Sequence, residues 1–207
     1  PTGIFRAFKN VGNDYGMLMA ILGGDDAGGG VTWAPEVIND AKDFGLILGD
    51  NGLLYDSKKG EFLPEHVKPM PLMSEDDLKN FPVVTSEEFQ RNFFVSSSDL
   101  VKNSQQSPVN VIGKNGILKD RPGFEVDFIT NKSFVNDKHT SSQYEVNMIM
   151  KGDWNLDYEG GHSKISEGDT CLIKPNLSYK IVPVGSNDAS LFRVTKTDDS
   201  AGSTWRE

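Results

Sequence analysis

The side chains with the most chemistry in this chain are few: three histidines, His66, His139 and His162, and one cysteine, Cys171. A single thiol cannot close an internal disulfide. Cys171 alternates within a strand-like run, where a free thiol serves as a small apolar residue. His162 follows Gly160-Gly161 and is expected at an exposed hairpin tip, and His66 lies in a proline-flanked stretch with no carboxylate–histidine pattern beside it. Gly23-Gly24 and Gly28-Gly29-Gly30 flank acids and do not open a helix after a strand, so they read as turn glycines and not as a phosphate cradle. No Ser-His-Asp set follows from spacing. What His139 can do depends on the elements around it.

Those elements belong to an ordinary globular chain of 207 residues, with 37% hydrophobic and 25% charged residues. That length suits one full domain plus a part, or one large all-β domain. No apolar run approaches the roughly 20 residues of a membrane helix, so no membrane is expected as a partner. The formal net charge of -9 repels polyanions, and no basic patch offsets it, so no nucleic acid is expected either. The N-terminus lacks the basic-then-apolar pattern of a signal peptide, which makes cytoplasmic residence the expectation.

An internal repeat organises the chain. Near the N-terminus the order runs Pro1, Arg6, Val11-Gly12-Asn13-Asp14, an apolar stretch from Met17 to Leu22, Asp25-Asp26, Gly28 and Thr32-Trp33. The C-terminus repeats it as Pro175, Lys180, Val184-Gly185, Asn187-Asp188, Leu191 to Val194, Asp198-Asp199, Gly202 and Thr204-Trp205. Pro1 and Pro175 lie 174 apart, Thr32 and Thr204 172 apart, and the other pairs fall within that range. An ordered series at nearly constant offset points to duplication. The second copy has a long strand-rich stretch before Pro175; the first has nothing before Pro1, so front strands of an N-terminal barrel are expected to be missing from this chain. Open strand edges template aggregation, and the missing strands must come from a longer polypeptide, a separate chain, or a first copy degenerated into a packing arm.

Between the copies, Ala34-Pro35-Glu36 with Val37, Ile38, Ala41 and Phe44 at helical spacing predicts a short helix up to Gly45. Ser74-Glu75-Asp76-Asp77 and Thr85-Ser86-Glu87-Glu88 are helix starts amid Pro69, Pro71 and Pro82. Residues 96–107, rich in Ser, Asn and Gln, read as loop. From Phe124 the pattern changes to two-residue alternation, as in Phe124-Val126-Phe128 and Tyr144-Val146-Met148-Met150, broken by turn signals. This predicts a small antiparallel barrel, with one hairpin from Trp154 to Ile165 and another joining Thr170–Ile173 to Tyr179–Val182.

Within that barrel, Glu145 and Gly152, followed by Gly168-Asp169 and Pro175, resemble the two motifs of the cupin superfamily. The resemblance covers about the last half of the chain plus the first dozen residues, where Pro1, Gly3 and Asn10 also match. It implies an all-β, double-stranded β-helix (a jelly-roll barrel), duplicated, with short helices in the linker. Its divisions are residues 1–33 as the closing strands of a truncated first barrel, 34–107 as the linker and 108–207 as a complete second barrel. The second motif departs from the family pattern: six residues, not five, separate Gly168 from Pro175.

The family's metal site uses three histidines and a glutamate. Against that pattern this chain keeps His139 and Glu145, has Ser141 at the second histidine and Lys180 at the third, with Arg6 corresponding to Lys180 in the first copy. A protonated amine or guanidinium has no lone pair for a metal, so no metal is expected in either copy. A cation facing into a barrel needs a partner. Lys180 then either pairs with Glu145 as a satisfied buried ion pair, or binds the carboxylate or phenolate of a small ligand. The resemblance therefore implies a barrel that binds a small anionic or phenolic molecule without an ordinary metal site, through Lys180, Glu145, His139, Ser141 and Arg6. The alternative is a non-haem iron, ring-cleaving dioxygenase whose iron ligands lie mostly in the missing barrel. Family members commonly assemble as dimers or larger closed groups, and a homo-oligomer is the expectation here.

Overall fold

The computed structural model describes residues 5–21, 32–119, 123–185 and 188–197. Pro1, Gly3, Gly23-Gly24, Asp25-Asp26, Gly28 to Gly30, Asn187, Asp198-Asp199, Gly202 and Thr204-Trp205 lie outside them. The chain divides into two units, one of Thr2–Leu18 and Gly28–Val84, the other of Pro1, Met19–Ala27 and Thr85–Glu207.

In the first unit, helix α1 (Pro35–Asp43) starts on the expected proline, which suits the first turn because its missing N–H has no helical partner there. A small antiparallel hairpin follows, β1 (Leu46–Leu48) with β2 (Leu54–Asp56), which the sequence reading did not anticipate. Helix α2 (Glu75–Leu78) starts at Ser74, whose side chain accepts from the Asp77 N–H while the Asp77 carboxylate accepts from the Ser74 N–H, a reciprocal cap. Residues 5–21 contain no strand. Phe5 stacks obliquely on Phe81 with ring centroids 4.8 Å apart.

The second unit opens with α3 (Ser86–Phe93), capped reciprocally by Thr85 and Glu88, and α4 (Ser97–Asn103). The latter corrects the expected loop over 96–107: Ser96 caps it by accepting from the Asp99 N–H, and Leu100, 4% exposed, anchors it in a core. Its polar composition hid one buried residue, and that residue decides the helix.

The strands β3 (Val109–Gly113), β4 (Leu118–Lys119), β5 (Phe124–Thr130), β6 (Glu145–Lys151), β7 (Trp154–Tyr158), β8 (Gly161–Ile165), β9 (Thr170–Ile173), β10 (Tyr179–Pro183) and β11 (Ser190–Lys196) form two sheets. One has the order β4-β3-β5-β11-β6-β9, the other β10-β7-β8. The expected β7–β8 hairpin is present, with Trp154 opposite Ile165. The second expected hairpin is not: β9 pairs with β6 and β10 with β7, so the chain changes sheet between them. The change occurs at Lys174 to Ser178, where Asn176 adopts a left-handed φ of 63° and its N–H donates to the Ser141 carbonyl. A tight two-residue return would have left both strands in one sheet.

The six-stranded sheet is buried on both faces. Between the sheets, Ile129, Ile149, Leu191, Trp154, Leu156, Ile165, Ile173, Tyr179 and Ile181 form one core. On the other face, Leu100, Val111, Val126 and Phe128 form a second, against which Ile21, Phe192 and Val194 pack. The turn after β6 needs glycine: Gly152 has φ +75°, and a Cβ there would sit 3.0 Å from that of Ala189 and 3.1 Å from the Asp188 carbonyl.

Candidate functional site

Strand parity fixes which side chains enter the barrel. On β6, Ile149 belongs to the inter-sheet core, so Asn147 and Glu145 point the same way; on β11, Leu191 places Arg193 and Thr195 inward; on β10, Tyr179 and Ile181 are core residues. One half of the interior is thus aliphatic and the other polar.

Glu145 is the centre of the polar half and is 1% exposed. A buried carboxylate is stable only when donors surround it. Here His139 Nε2 lies 2.9 Å from Oε1 and 3.1 Å from Oε2, the Tyr179 hydroxyl donates to Oε2 at 3.0 Å, and the Thr195 hydroxyl donates to Oε1 at 3.1 Å. With a carboxylate facing it, His139 Nε2 is assigned as the protonated nitrogen. The histidine is placed by its backbone, which exchanges hydrogen bonds of 2.7 and 2.9 Å with Tyr179, and its ring meets the Tyr179 ring edge-on at 5.4 Å.

The network continues beyond Tyr179. Asn147, fully buried, donates from Nδ2 to the Tyr179 hydroxyl at 3.3 Å, and its Oδ1 accepts from Arg193 Nε at 3.4 Å. The Arg193 guanidinium lies 5.8 Å from the centre of the Tyr179 ring, within cation–π reach. A line of donors and acceptors therefore runs from Arg193 through Asn147, Tyr179 and Glu145 to His139. Asp127, the strand neighbour of Arg193, accepts instead from Asn110 Nδ2 at 2.9 Å, and among the described residues no ion pair holds Arg193.

Of the residues expected at the site, His139 and Glu145 come together. Ser141 is next to them in sequence but serves the loop: its hydroxyl accepts from the Gln143 N–H and its carbonyl from the Asn176 N–H. Lys180, expected to face inward, lies between buried Tyr179 and Ile181 on the opposite face of β10, paired in register with Asp157 of β7. Arg6 is exposed in the strandless segment 5–21. Tyr179, Asn147, Arg193 and Thr195 were missed. Counting forward from Pro175 with the family spacing selects Lys180, whereas counting forward from Gly168 selects Tyr179; the extra residue between Gly168 and Pro175 moves the reading by one, and one residue reverses a strand's faces. The alternation of Tyr179 and Ile181 around Lys180 carried the right answer.

A three-histidine, one-glutamate metal set is not assembled. His139 and Glu145 bond each other, Ser141 is engaged by the backbone, and the inward partner is a phenol that donates to Glu145. Among the described residues no three His, Cys, Asp or Glu side chains cluster as metal ligands. A separate cleft of about 290 Å³, lined by Gly152, Asp153, Ser166, Glu167, Val184, Asp188 and Ala189, lies at the far end of β6 from Glu145.

Burial pushes the Tyr179 phenol well above its ordinary value, with the Arg193 charge and the Asn147 hydrogen bond opposing and the Glu145 charge reinforcing. Its neutral form is thus favoured in the folded state. The stability this gives is complete below the unfolded value of about 10 and is lost as pH rises above it. Between pH ~10 and ~12 the wild-type protein is expected to lose up to about 1.4 kcal/mol more per pH unit than Tyr179→Phe, read from denaturant midpoints. Parallel pH profiles would remove the buried phenol from this account.

Residues 122–206, which span β5 to β11, match the family model of the AraC-like ligand binding domain. Among solved structures the chain is similar to a protein of Neisseria meningitidis, at 17% identity over 50% of this chain and 99% of that one, with a TM-score of 0.39. It is similar to a cupin-2 domain containing protein of Shewanella frigidimarina at 11% identity, 50% and 94% coverage and a TM-score of 0.38. An RmlC-like cupin family protein of Methanocaldococcus jannaschii, with a double-stranded β-helix fold, follows at 18% identity, 45% and 81% coverage and 0.35. No curated protein matches the chain. The family match and the two-sheet arrangement show a mostly β, cupin-type barrel. No helix among the described residues is long and apolar enough to cross a membrane.

Proposed function

We propose that the barrel binds a small anionic molecule, a carboxylate or phenolate, at the polar half of its interior, without a metal, and that Arg193 takes the negative charge. The observation that carries this is a guanidinium facing into the barrel, steadied by Asn147 and the Tyr179 ring and given no ion-pair partner among the described residues. A planar fork of donors suits carboxylate and phenolate oxygens, and the adjoining aromatic ring suits an aryl group. His139 and Glu145 form the wall of the site, where Glu145 is saturated by three donors and has little capacity left for a ligand. The proposed site makes no use of Ser141, Lys180 or Arg6. The match to a ligand-binding domain model supports small-molecule binding as the activity.

The test is thermal denaturation of the wild-type chain with acetate, succinate, benzoate, salicylate and phenol. A member of the panel that binds with a Kd well below its working concentration raises the melting temperature, by about 2.7 kcal/mol of stabilisation at 100 times Kd. Lys180→Met is expected to respond as the wild type does. A response lost with Lys180, or no response to any anion, would overturn the proposal.

A further inference from the structure

Resting on the anion-binding reading, and adding a reaction to it, we infer that the barrel catalyses proton transfer on α-keto acids: Arg193 holds the carboxylate and keto oxygens, and His139 Nδ1 is the base at the neighbouring β-carbon. Two open polar edges on an otherwise satisfied network carry this. His139 turns Nε2 to the two oxygens of Glu145, at 2.9 and 3.1 Å. Its Nδ1 has no hydrogen bond among the described residues, yet the buried side-chain N or O atom without a partner there is Asn110 Oδ1. Nδ1 is therefore open to water, on a side chain that is 38% exposed. Arg193 is alike: Nε is bonded to Asn147, while Nη1 and Nη2 are neither bonded nor buried among the described residues.

A histidine that donates from one nitrogen to a buried carboxylate is held in one tautomer and one orientation, with a lone pair on the other nitrogen. That is the form of a general base, and Glu145 is its positioning residue. The two NH2 groups of a guanidinium make a fork for two oxygens of one molecule. In an α-keto acid those are a carboxylate oxygen and the adjoining keto oxygen, and the β-carbon is the next atom along. Base and fork share the polar half of the interior, since Thr195, the inward residue after Arg193 on β11, donates to the same Glu145. The His139 ring centre and the Arg193 guanidinium lie 5.4 and 5.8 Å from the Tyr179 ring centre, so at most the sum of the two, 11.2 Å, separates them. Spacings of about 3 Å at each end leave room for a chain of a few carbons between them.

In the step, Nδ1 takes the proton from the β-carbon. The C–H electron pair becomes the second bond between the α- and β-carbons, and the keto π pair moves onto its oxygen, where the guanidinium meets the new charge. Return of a solvent-equilibrated proton to the β-carbon regenerates the keto acid and the neutral imidazole. Nothing is oxidised or reduced, and no second reactant enters. The Tyr179 hydroxyl remains a donor to Glu145 throughout.

The experiment incubates the full chain in heavy water with pyruvate, α-ketobutyrate or α-ketoglutarate. Loss of the β-proton signal is followed by NMR, and the melting temperature is measured with each acid. At least one acid should exchange about 100-fold faster than in buffer alone, the lower end of what a positioned base contributes. His139→Gln keeps a donor to Glu145 and the rise in melting temperature, but should exchange at the buffer rate. Free imidazole should restore exchange to His139→Ala, entering the space the ring has left. Nitrogen–proton NMR should find the His139 proton on Nε2 in the wild type, and on both nitrogens in Glu145→Gln, whose amide can donate to the ring or accept from it. A melting temperature raised by a keto acid with exchange no faster than in buffer overturns the catalysis and leaves anion binding standing. Exchange in His139→Gln equal to the wild type, or a wild-type proton on Nδ1, overturns it as well. No rise with any keto acid or with benzoate overturns both.

Discussion

Glu145→Leu is expected to destabilise the barrel by about 2–4 kcal/mol, the largest effect of any single polar substitution in this unit. The carboxylate is 1% exposed and receives His139, Tyr179 and Thr195. Removing it strands the Tyr179 and Thr195 hydroxyls, and each buried donor left without an acceptor costs about 1–3 kcal/mol. Relief of the carboxylate's own desolvation offsets part of that, which keeps the total below the simple sum. His139, at 38% side-chain exposure, can turn to water and adds little. Glu145→Gln keeps the shape but offers one acceptor and a new donor pair, for a loss of about 1–3 kcal/mol. Urea midpoints measure both. In the double variant Glu145→Leu/Tyr179→Phe the stranded phenol is gone, so the cycle should show a coupling of about 1–2 kcal/mol. Additive losses would mean that the two side chains do not form one unit.

Arg193→Met is expected to weaken anion binding by about 10- to 100-fold, the worth of a charge-assisted hydrogen bond of roughly 1.5–3 kcal/mol. Methionine keeps most of the aliphatic stem that packs near Tyr179, so the change is directed at charge and not at volume. Arg193→Lys restores the charge without the planar fork and should recover part of the affinity. Because Asn147 Oδ1 loses its Arg193 donor in the methionine variant, a modest loss of stability accompanies the loss of binding. Calorimetric titration with the tightest anion of the panel separates the two: Lys recovering affinity identifies charge, while Lys and Met failing alike points to disturbed packing.

The barrel was legible because its strands alternate with a period of two. Phe124-Val126-Phe128 and the β7–β8 hairpin carry that pattern in full, and the helix caps Ser74 and Thr85 carry theirs. Where one residue decides, composition misleads. Helix α4 depends on buried Leu100 within a run of serines, and the switch of sheets after β9 depends on the left-handed Asn176. The site was half legible. His139 and Glu145 are held by local spacing along one strand and its approach, which a motif can encode. Arg193, Asn147 and Thr195 reach the same place from strands that meet through pairing at register positions set by the fold, such as Asn147 opposite Arg193. Lys180 shows how a motif counted across a loop loses the face of a strand.

The most direct measurement on the central claim is the Arg193 Nε–H resonance, assigned by its loss in Arg193→Met, followed while salicylate is added. If the guanidinium takes the ligand's charge, that resonance shifts with the same saturation curve as calorimetry, and the Lys180 ammonium signal stays where it was. An unmoved Arg193 signal in the presence of bound salicylate would contradict the account.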